Sequence, residues 1–406
     1  MYQYHTLSNG IRIVLRRTTS PVAYSGVYIN VGSRDESPSE QGIAHFIEHS
    51  IFKGTEHRRA YHILNRIDGV GGELNAFTTK EETCVYAISL GEHLERCLDL
   101  FADVLFHSVF PERELTKEKD VIIEEINSYR DSPSDLIFDD FEERIYGSHP
   151  LAHNILGSKR NVKAFTPAAV RDFMRRHYTT DRMAISVVAD VDFDRLIRLC
   201  ERYFGSYPPC ESSALCRTRP SETQRFEQLL NRHTHQMHLL FGCPAPNIYE
   251  DDKVAFTLLN NIIGGPAMNS LLNVAIRERY GFCYSIESQY VPFSDAGLFY
   301  IYAGIEADAF DRVRELTMQE LGKLAAHPLS SRQFLAAQRQ LIGQMAISND
   351  NGLNEMQSIG KACLNYGKVD TLDEMSADIM ALTANDLQQV AARYLDSQAF
   401  SLLCYK

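Results

Sequence analysis

Two histidines stand four residues apart, with a glutamate just before the second, in "GIAHFIEHSIFKGT" (residues 42–55). Residues i and i+4 of a helix share a face. His45 and His49 can therefore place two imidazole nitrogens on one metal ion, and Glu48 can reach a water bound to it. Counted at about 100° per residue from Ile43, the side chains of Ile43, Phe46, Ile47, Ser50 and Ile51 form one stripe. Glu48, His45 and His49 fall at about 140°, 200° and 240°, a narrow arc on the opposite side. Upstream, Ser37-Pro38-Ser39-Glu40 has the form of a capping box with Pro at the first helical position. Two histidines alone also fit the polar side of an ordinary surface helix, so the case for a metal turns on a third ligand.

A candidate lies in "ELTKEKDVIIEEINSYRDS" (114–132), which is helical in pattern. With Leu115 at 0°, Ile122 and Ile126 lie near 340° and 20°, and Glu124 near 180° on the polar side. Glu125 lies near 280° and Glu118 near 300°, both against the apolar stripe. A carboxylate facing an apolar layer is costly unless something compensates it. A divalent cation would do so for Glu125, and Glu118, two turns earlier, could support a ligand from behind. The alternative is that both glutamates merely edge the stripe at the surface.

The chain that must position these groups has 406 residues, 44% of them hydrophobic, which suits two domains of ordinary size. A net charge of -12 argues against nucleic acid or an anionic membrane surface as the main partner. Nine cysteines without CxxC pairs indicate neither a disulfide framework nor a cysteine-zinc site. No apolar run reaches membrane-spanning length. The amino terminus reads as a hairpin turning at Asn9-Gly10, with Ile11, Ile13 and Leu15 alternating, and not as a signal peptide. The expectation is a cytoplasmic protein. "HTHQMH" (233–238) reads as strand-face histidines, and His149 and His153 as structural.

The chain is written twice. "IAHFIEHSIFKG" (43–54) lies over "VAFTLLNNIIGG" (254–265) without gaps, with apolar positions matched and polar ones not. His45 faces Phe256, Glu48 faces Leu259 and His49 faces Asn260. "DVIIEEI" (120–126) lies over "RQLIGQM" (339–345), so Glu125 faces Gln344. "FTPAAVRDFMRRHY" (165–178) resembles "LTANDLQQVAARYL" (382–395), with Thr166 and Thr383 as helix caps. The second copy dispenses with all the metal-type residues, so the fold does not need them. We expect an α+β protein of two homologous domains, each an antiparallel sheet packed with helices. Their expected limits are 1–208, with the metal site, and 225–406, with a Pro- and Ser-rich linker at 209–224.

His45-x-x-Glu48-His49 with a distant Glu125 resembles the inverted zinc motif of the pitrilysin family, in particular its short processing-peptidase-like members. Glu118 stands where that family has an additional glutamate. "GGELNAFTTKEETCVYA" (71–87) looks like its substrate-pairing edge strand, and "IIGGPAMNSLLNVAIRERYGFCYSIES" (262–288) like the segment bearing an Arg/Tyr pair, here Arg277 and Tyr284. The resemblance spans nearly the whole chain. It implies a zinc endopeptidase with one Zn2+ per chain on His45, His49 and Glu125. Glu48 would be its general base and Glu118 a further catalytic-site residue. Peptide or unfolded polypeptide would pair beside Asn75, Ala76 and Phe77. It also implies a homodimer, in which Arg277 and Tyr284 of one subunit contact substrate and complete the other's site.

A competing expectation, from a different class, is a non-catalytic scaffold or processing subunit of a peptidase complex. Such partners usually lack part of the His-His-Glu set, and this chain has all of it.

Overall fold

The computed structural model describes residues 1–209, 217–221 and 223–406. Half of the linker expected at 209–224, residues 210–216 and 222, lies outside the described residues. Arg217, at its described edge, is held by Asp35 (2.7 Å) and by the side chain of Asn30 (2.9 Å).

Among the described residues, eleven strands form two sheets. The first sheet takes β1 (Tyr2–Thr6), β2 (Arg12–Arg17), β3 (Val22–Ile29), β4 (Glu73–Thr78), β5 (Thr83–Leu90) and β6 (Met183–Ala189), in the order β1-β2-β6-β3-β5-β4. The second takes β7 (Glu227–Leu230), β8 (Met237–Pro244), β9 (Cys283–Pro292), β10 (Gly297–Ile305) and β11 (Ser401–Tyr405), in the order β7-β11-β8-β10-β9. Neighbours are antiparallel except β2 with β6 and β7 with β11. Read as β2→β7, β6→β11, β3→β8, β5→β10 and β4→β9, the second sheet repeats the first, lacking only β1 among the described residues. The duplication legible in the helices thus extends to strand order and to the single parallel pair.

Side chains on successive strand residues point to opposite faces. In β2, Ile13 and Leu15 enter one apolar cluster while Val14 enters another. In β10, Phe299, Ile301, Ala303 and Ile305 face one cluster, and Leu298, Tyr300 and Tyr302 the other. Both sheets are therefore covered by helices on both faces, which explains the continuously buried runs of β6 and β10.

The helices on the main face of the first sheet include α1 (Ile43–Ser50), α2 (Ala60–Asp68) and α3 (Leu94–His107); α4 (Glu112–Arg130) follows, and then α5 (Pro133–Tyr146). The amino-terminal hairpin closes at Gly10, whose φ of +96° is the left-handed conformation that Gly adopts without strain. Thr166 and Thr383 cap their helices as expected, accepting from Ala169 N–H and Asp386 N–H. The capping box at Ser37 does not start α1. Glu40 accepts from Ser37 N–H (3.2 Å) within a turn, and the helix begins after Gly42.

The compact units do not follow the boundary expected at 208/225. One comprises 1–127, 153–217 and 347–371; the other comprises 128–152, 218–346 and 372–406. Each half of the chain lends one helix to the other half's sheet. Helix Gly352–Tyr366 covers the second face of the first sheet through Met356, Ile359, Cys363 and Leu364. Ser186 Oγ donates to Met356 O (2.6 Å), and Arg12 donates to Cys363 O and Leu364 O (3.0 and 2.8 Å). Gly360 lets this helix lie on Tyr28, since a Cβ there would come 2.6 Å from the ring. In the other unit, α5 covers the second sheet through Ile137, Phe141 and Ile145, with Tyr300 donating to Glu142 (2.6 Å) and Tyr405 to Asp140 (2.7 Å).

His233 and His235 precede β8 and so are not strand-face residues; only His238 is on the strand, bonded through Nδ1 to the Tyr302 hydroxyl (2.8 Å). The seven described cysteines are free and buried. Among the described residues no helix is long and apolar enough to cross a membrane.

Candidate metal centre

The site is built on α1 and α4 within one compact unit. The apolar stripe of α1 is fully covered: Ile43, Phe46, Ile47, Ser50 and Ile51 are all buried. A residue not anticipated from the sequence fixes where α1 starts. The buried Glu36 accepts from Gly42 N–H and Ala44 N–H, both at 2.8 Å, satisfying donors that a helix terminus leaves free. Burial pushes the Glu36 carboxyl well up, against the pull of those two N–H groups. Gly42 has φ +94°, and a Cβ there would meet Leu156 O at 2.7 Å, so only glycine fits this entry.

His45 and His49 have ring centroids 4.6 Å apart. On α4, Leu115, Glu118, Ile122 and Ile126 are buried while Glu124 is exposed, as the helical spacing requires. Glu125 Oε2 lies 3.7 Å from His45 Nε2 and 3.4 Å from His49 Nε2. These separations are long for hydrogen bonds. Two donors each about 2.1 Å from one zinc ion at a tetrahedral angle stand about 3.4 Å apart. Glu125 Oε2 is inaccessible to solvent and has no hydrogen-bond partner among the described residues, a costly state for a carboxylate oxygen. The spacing, the orphaned oxygen and the two-nitrogen, one-oxygen donor set all fit a zinc-type ion.

Protonation supports the same fit. Burial, then the neighbouring His49, pushes His45 down to about 4, so its imidazole is neutral and free to ligate. His49 is raised, first by Glu118 and against burial, with Glu125 and Glu48 adding to the rise. Glu118 Oε2 lies 3.4 Å from His49 Nδ1, and Glu118 Oε1 takes an ion pair from Lys53 Nζ (2.7 Å). Although burial raises the Glu118 carboxyl, His49 and Lys53 outweigh it and hold it down. Lys53, just past α1, is the second positioning residue that helical spacing could not reveal. Glu48 is raised by burial, partly offset by Thr78 and His49.

Thr78 ends β4, and among the described residues β4 is an edge strand paired only with β5. Asn75 is exposed, Ala76 buried and Phe77 half-buried; Ala76 N–H donates to Asn75 Oδ1 (2.8 Å). The hairpin to β5 turns at Thr79–Glu82, where Thr79 N–H donates to Glu82 O (2.8 Å).

Arg277 and Tyr284 belong to the other unit. The structure brings them together: the Arg277 guanidinium sits 5.9 Å from the centre of the Tyr284 ring. Arg277 lies on the π-helical turn Asn273–Glu278 and donates to Asn273 Oδ1 (3.3 Å). Tyr284 is 86% exposed on β9, the edge strand equivalent to β4. In the second copy of α1, Lys253–Gly264, Phe256 and Leu259 replace His45 and Glu48 and are buried in apolar core. Asn260 replaces His49 and accepts from Ser288 Oγ (2.8 Å).

Residues 12–159 match the family described as Insulinase (Peptidase family M16), and residues 164–341 match the Peptidase M16 inactive domain. A Bacillus subtilis relative named uncharacterized zinc protease YmxG is 36% identical, covering 99% of this chain and 97% of its own length. A Streptomyces coelicolor relative named uncharacterized zinc protease SCO5738 is 34% identical over 95% of this chain and 85% of its own. The crystal structure of a protease from Helicobacter pylori has the same fold, with a TM-score of 0.91 at 21% identity, covering 100% of this chain and 99% of that one. A Pseudomonas fluorescens structure titled peptidase M16 inactive domain gives 0.91 at 19% identity, covering 100% and 98%. With a curated relative at this identity aligned end to end, and both halves matched in order, the chain belongs to peptidase family M16.

Proposed function

We propose that the protein is a zinc-dependent endopeptidase hydrolysing peptide bonds in peptides or unfolded protein segments. The observation that carries this reading is the solvent-inaccessible Glu125 oxygen, unpartnered and at ligand-sharing distance from His45 and His49. The family and the zinc-protease names of its relatives support it. One zinc per chain at this site would supply Lewis acidity, drawing a water toward hydroxide at neutral pH.

The chain's own groups do the rest. Glu48 takes the proton of the attacking water and passes it to the leaving amine. Its burial, which raises the carboxyl, favours holding that proton in transit. Glu118, anchored by Lys53, orients the His49 ring. Substrate adds as a further strand on the open edge of β4 at Asn75, Ala76 and Phe77, a mode that binds backbone and tolerates many side chains. Arg277 and Tyr284 supply positive charge and a hydroxyl for the developing oxyanion. We infer that they act across a homodimer, each subunit's pair serving the other's zinc site; their pairing and the exposure of Tyr284 support this. In these terms, residues 1–208 carry catalysis, and residues 225–406 carry the substrate-contact pair.

The test is metal analysis together with cleavage of a quenched-peptide library by wild type and Glu48→Gln. The variant should keep its zinc and lose about 100-fold or more in turnover. Equal activity in the two proteins would remove Glu48 from the mechanism.

A further inference from the structure

A second group of metal-type side chains lies outside this centre, in the same compact unit. Glu56, His57 and His107 each offer a ligand atom, all within 4.8 Å of one another. The two imidazole rings have centroids 4.5 Å apart, and Glu56 Oε2 lies 3.5 Å from His107 Nδ1. That separation again is what two donors on one tetrahedral ion show. Neither histidine is a free surface ring. His57 Nδ1 is 2.7 Å from Asp103 Oδ1, so its Nδ1–H is donated there and Nε2 keeps its lone pair. His107 Nε2 is 2.6 Å from the Tyr207 hydroxyl; an Nε2–H donated to that oxygen leaves Nδ1, the atom facing Glu56, as the lone-pair nitrogen. In metal sites the outward nitrogen of a histidine ligand is tied in this way to a carboxylate or another oxygen.

The backbone is equally fixed. Glu56 N–H donates to His107 O (2.9 Å), clamping the loop to the end of α3. Thr55 Oγ1 accepts from Arg58 N–H (2.8 Å) and donates to Asp103 Oδ2 (2.9 Å). Asp103 is buried, and Arg58 Nη1 donates to its Oδ2 at 2.6 Å. The carboxylate that sets the His57 tautomer is thus itself immobilised. The ligands are solvent-facing, with His57 56% and Glu56 66% exposed, so an ion could enter without any opening.

We propose that Glu56, His57 and His107 form a second divalent-cation site for a borderline metal of the zinc type, independent of His45, His49 and Glu125. Two imidazoles and one carboxylate select such ions over calcium or magnesium, which take oxygen-only sets. Bound metal would cross-link the loop after α1 to the carboxyl end of α3.

The test uses zinc and cobalt with the full-length chain. In His45→Ala/His49→Ala protein, calorimetric titration with zinc should show one remaining site per chain, and cobalt should give tetrahedral visible bands. Adding His57→Ala/His107→Ala should abolish both signals. Asp103→Asn should weaken the remaining site about 10- to 100-fold. Absence of any remaining site in the His45→Ala/His49→Ala protein would overturn the proposal. Anomalous scattering from zinc-soaked wild-type crystals decides the matter without a variant. A peak among His57, His107 and Glu56 supports the site, and its absence beside an occupied His45/His49 position overturns it.

Discussion

His49 Nδ1 faces the Glu118 carboxylate at 3.4 Å, which leaves the other ring nitrogen turned to Glu125. In the proposed centre this one side chain would spend one nitrogen on orientation and one on ligation. Glu118→Gln keeps the shape but loses the charge that holds His49 and pairs with Lys53. Zinc affinity should fall about 10- to 100-fold, measured by competition with a chromophoric chelator. Unchanged affinity would make Glu118 a bystander.

The proposed homodimer makes a sharp prediction of its own. His45→Ala and Arg277→Ala subunits, each inactive alone, should regain activity when mixed under exchanging conditions, because a mixed dimer holds one intact composite site. About a quarter of wild-type turnover is the order expected for random exchange of sites built from both chains. No recovery, with exchange verified by a size or fluorescence label, would count against a shared site.

His238 lends a pH dependence to stability. It is buried on β8 against the Tyr302 hydroxyl, and burial holds its imidazole below the usual 6.5. The folded protein keeps it neutral while the unfolded chain takes up a proton as pH drops below about 6.5. Its contribution is therefore fully present above that value and is lost as pH falls toward the depressed folded value. His238→Gln should show a flatter loss of melting temperature than wild type between about pH 7.5 and 5.5. Parallel curves would remove His238 as the source.

The helix exchanged between halves should be sensitive to a single methyl. Gly360→Ala brings a Cβ to 2.6 Å from the buried Tyr28 ring and 3.0 Å from Ser186 Cβ. We expect a loss of about 1–3 kcal/mol, read as a lower denaturant midpoint at unchanged slope. Gly322→Ala, in helix Phe310–Ala326 with nothing within 4 Å of the new Cβ, should instead gain about 0.5–1 kcal/mol from helix propensity. If both variants behave alike, close packing at Gly360 is not what glycine serves there.

Local periodicity made much of this molecule readable in one dimension. Helical spacing alone puts His45, Glu48 and His49 on one arc and sets Glu118 and Glu125 toward the apolar side of their helix, because backbone geometry dictates which neighbours share a face. The repeat announced itself because both copies must bury the same stripe. The hairpin at Asn9-Gly10 and the caps at Thr166 and Thr383 are likewise short-range.

Contacts between segments far apart in the chain leave no such trace. Lys53 meets Glu118 only because the end of α1 docks against α4, and no spacing rule links those two residues. The same holds for Glu56 and His57 meeting His107, and for the two helices lent across the halves. Periodicity says which side of an element is apolar; which surface that side covers depends on packing among all the elements at once.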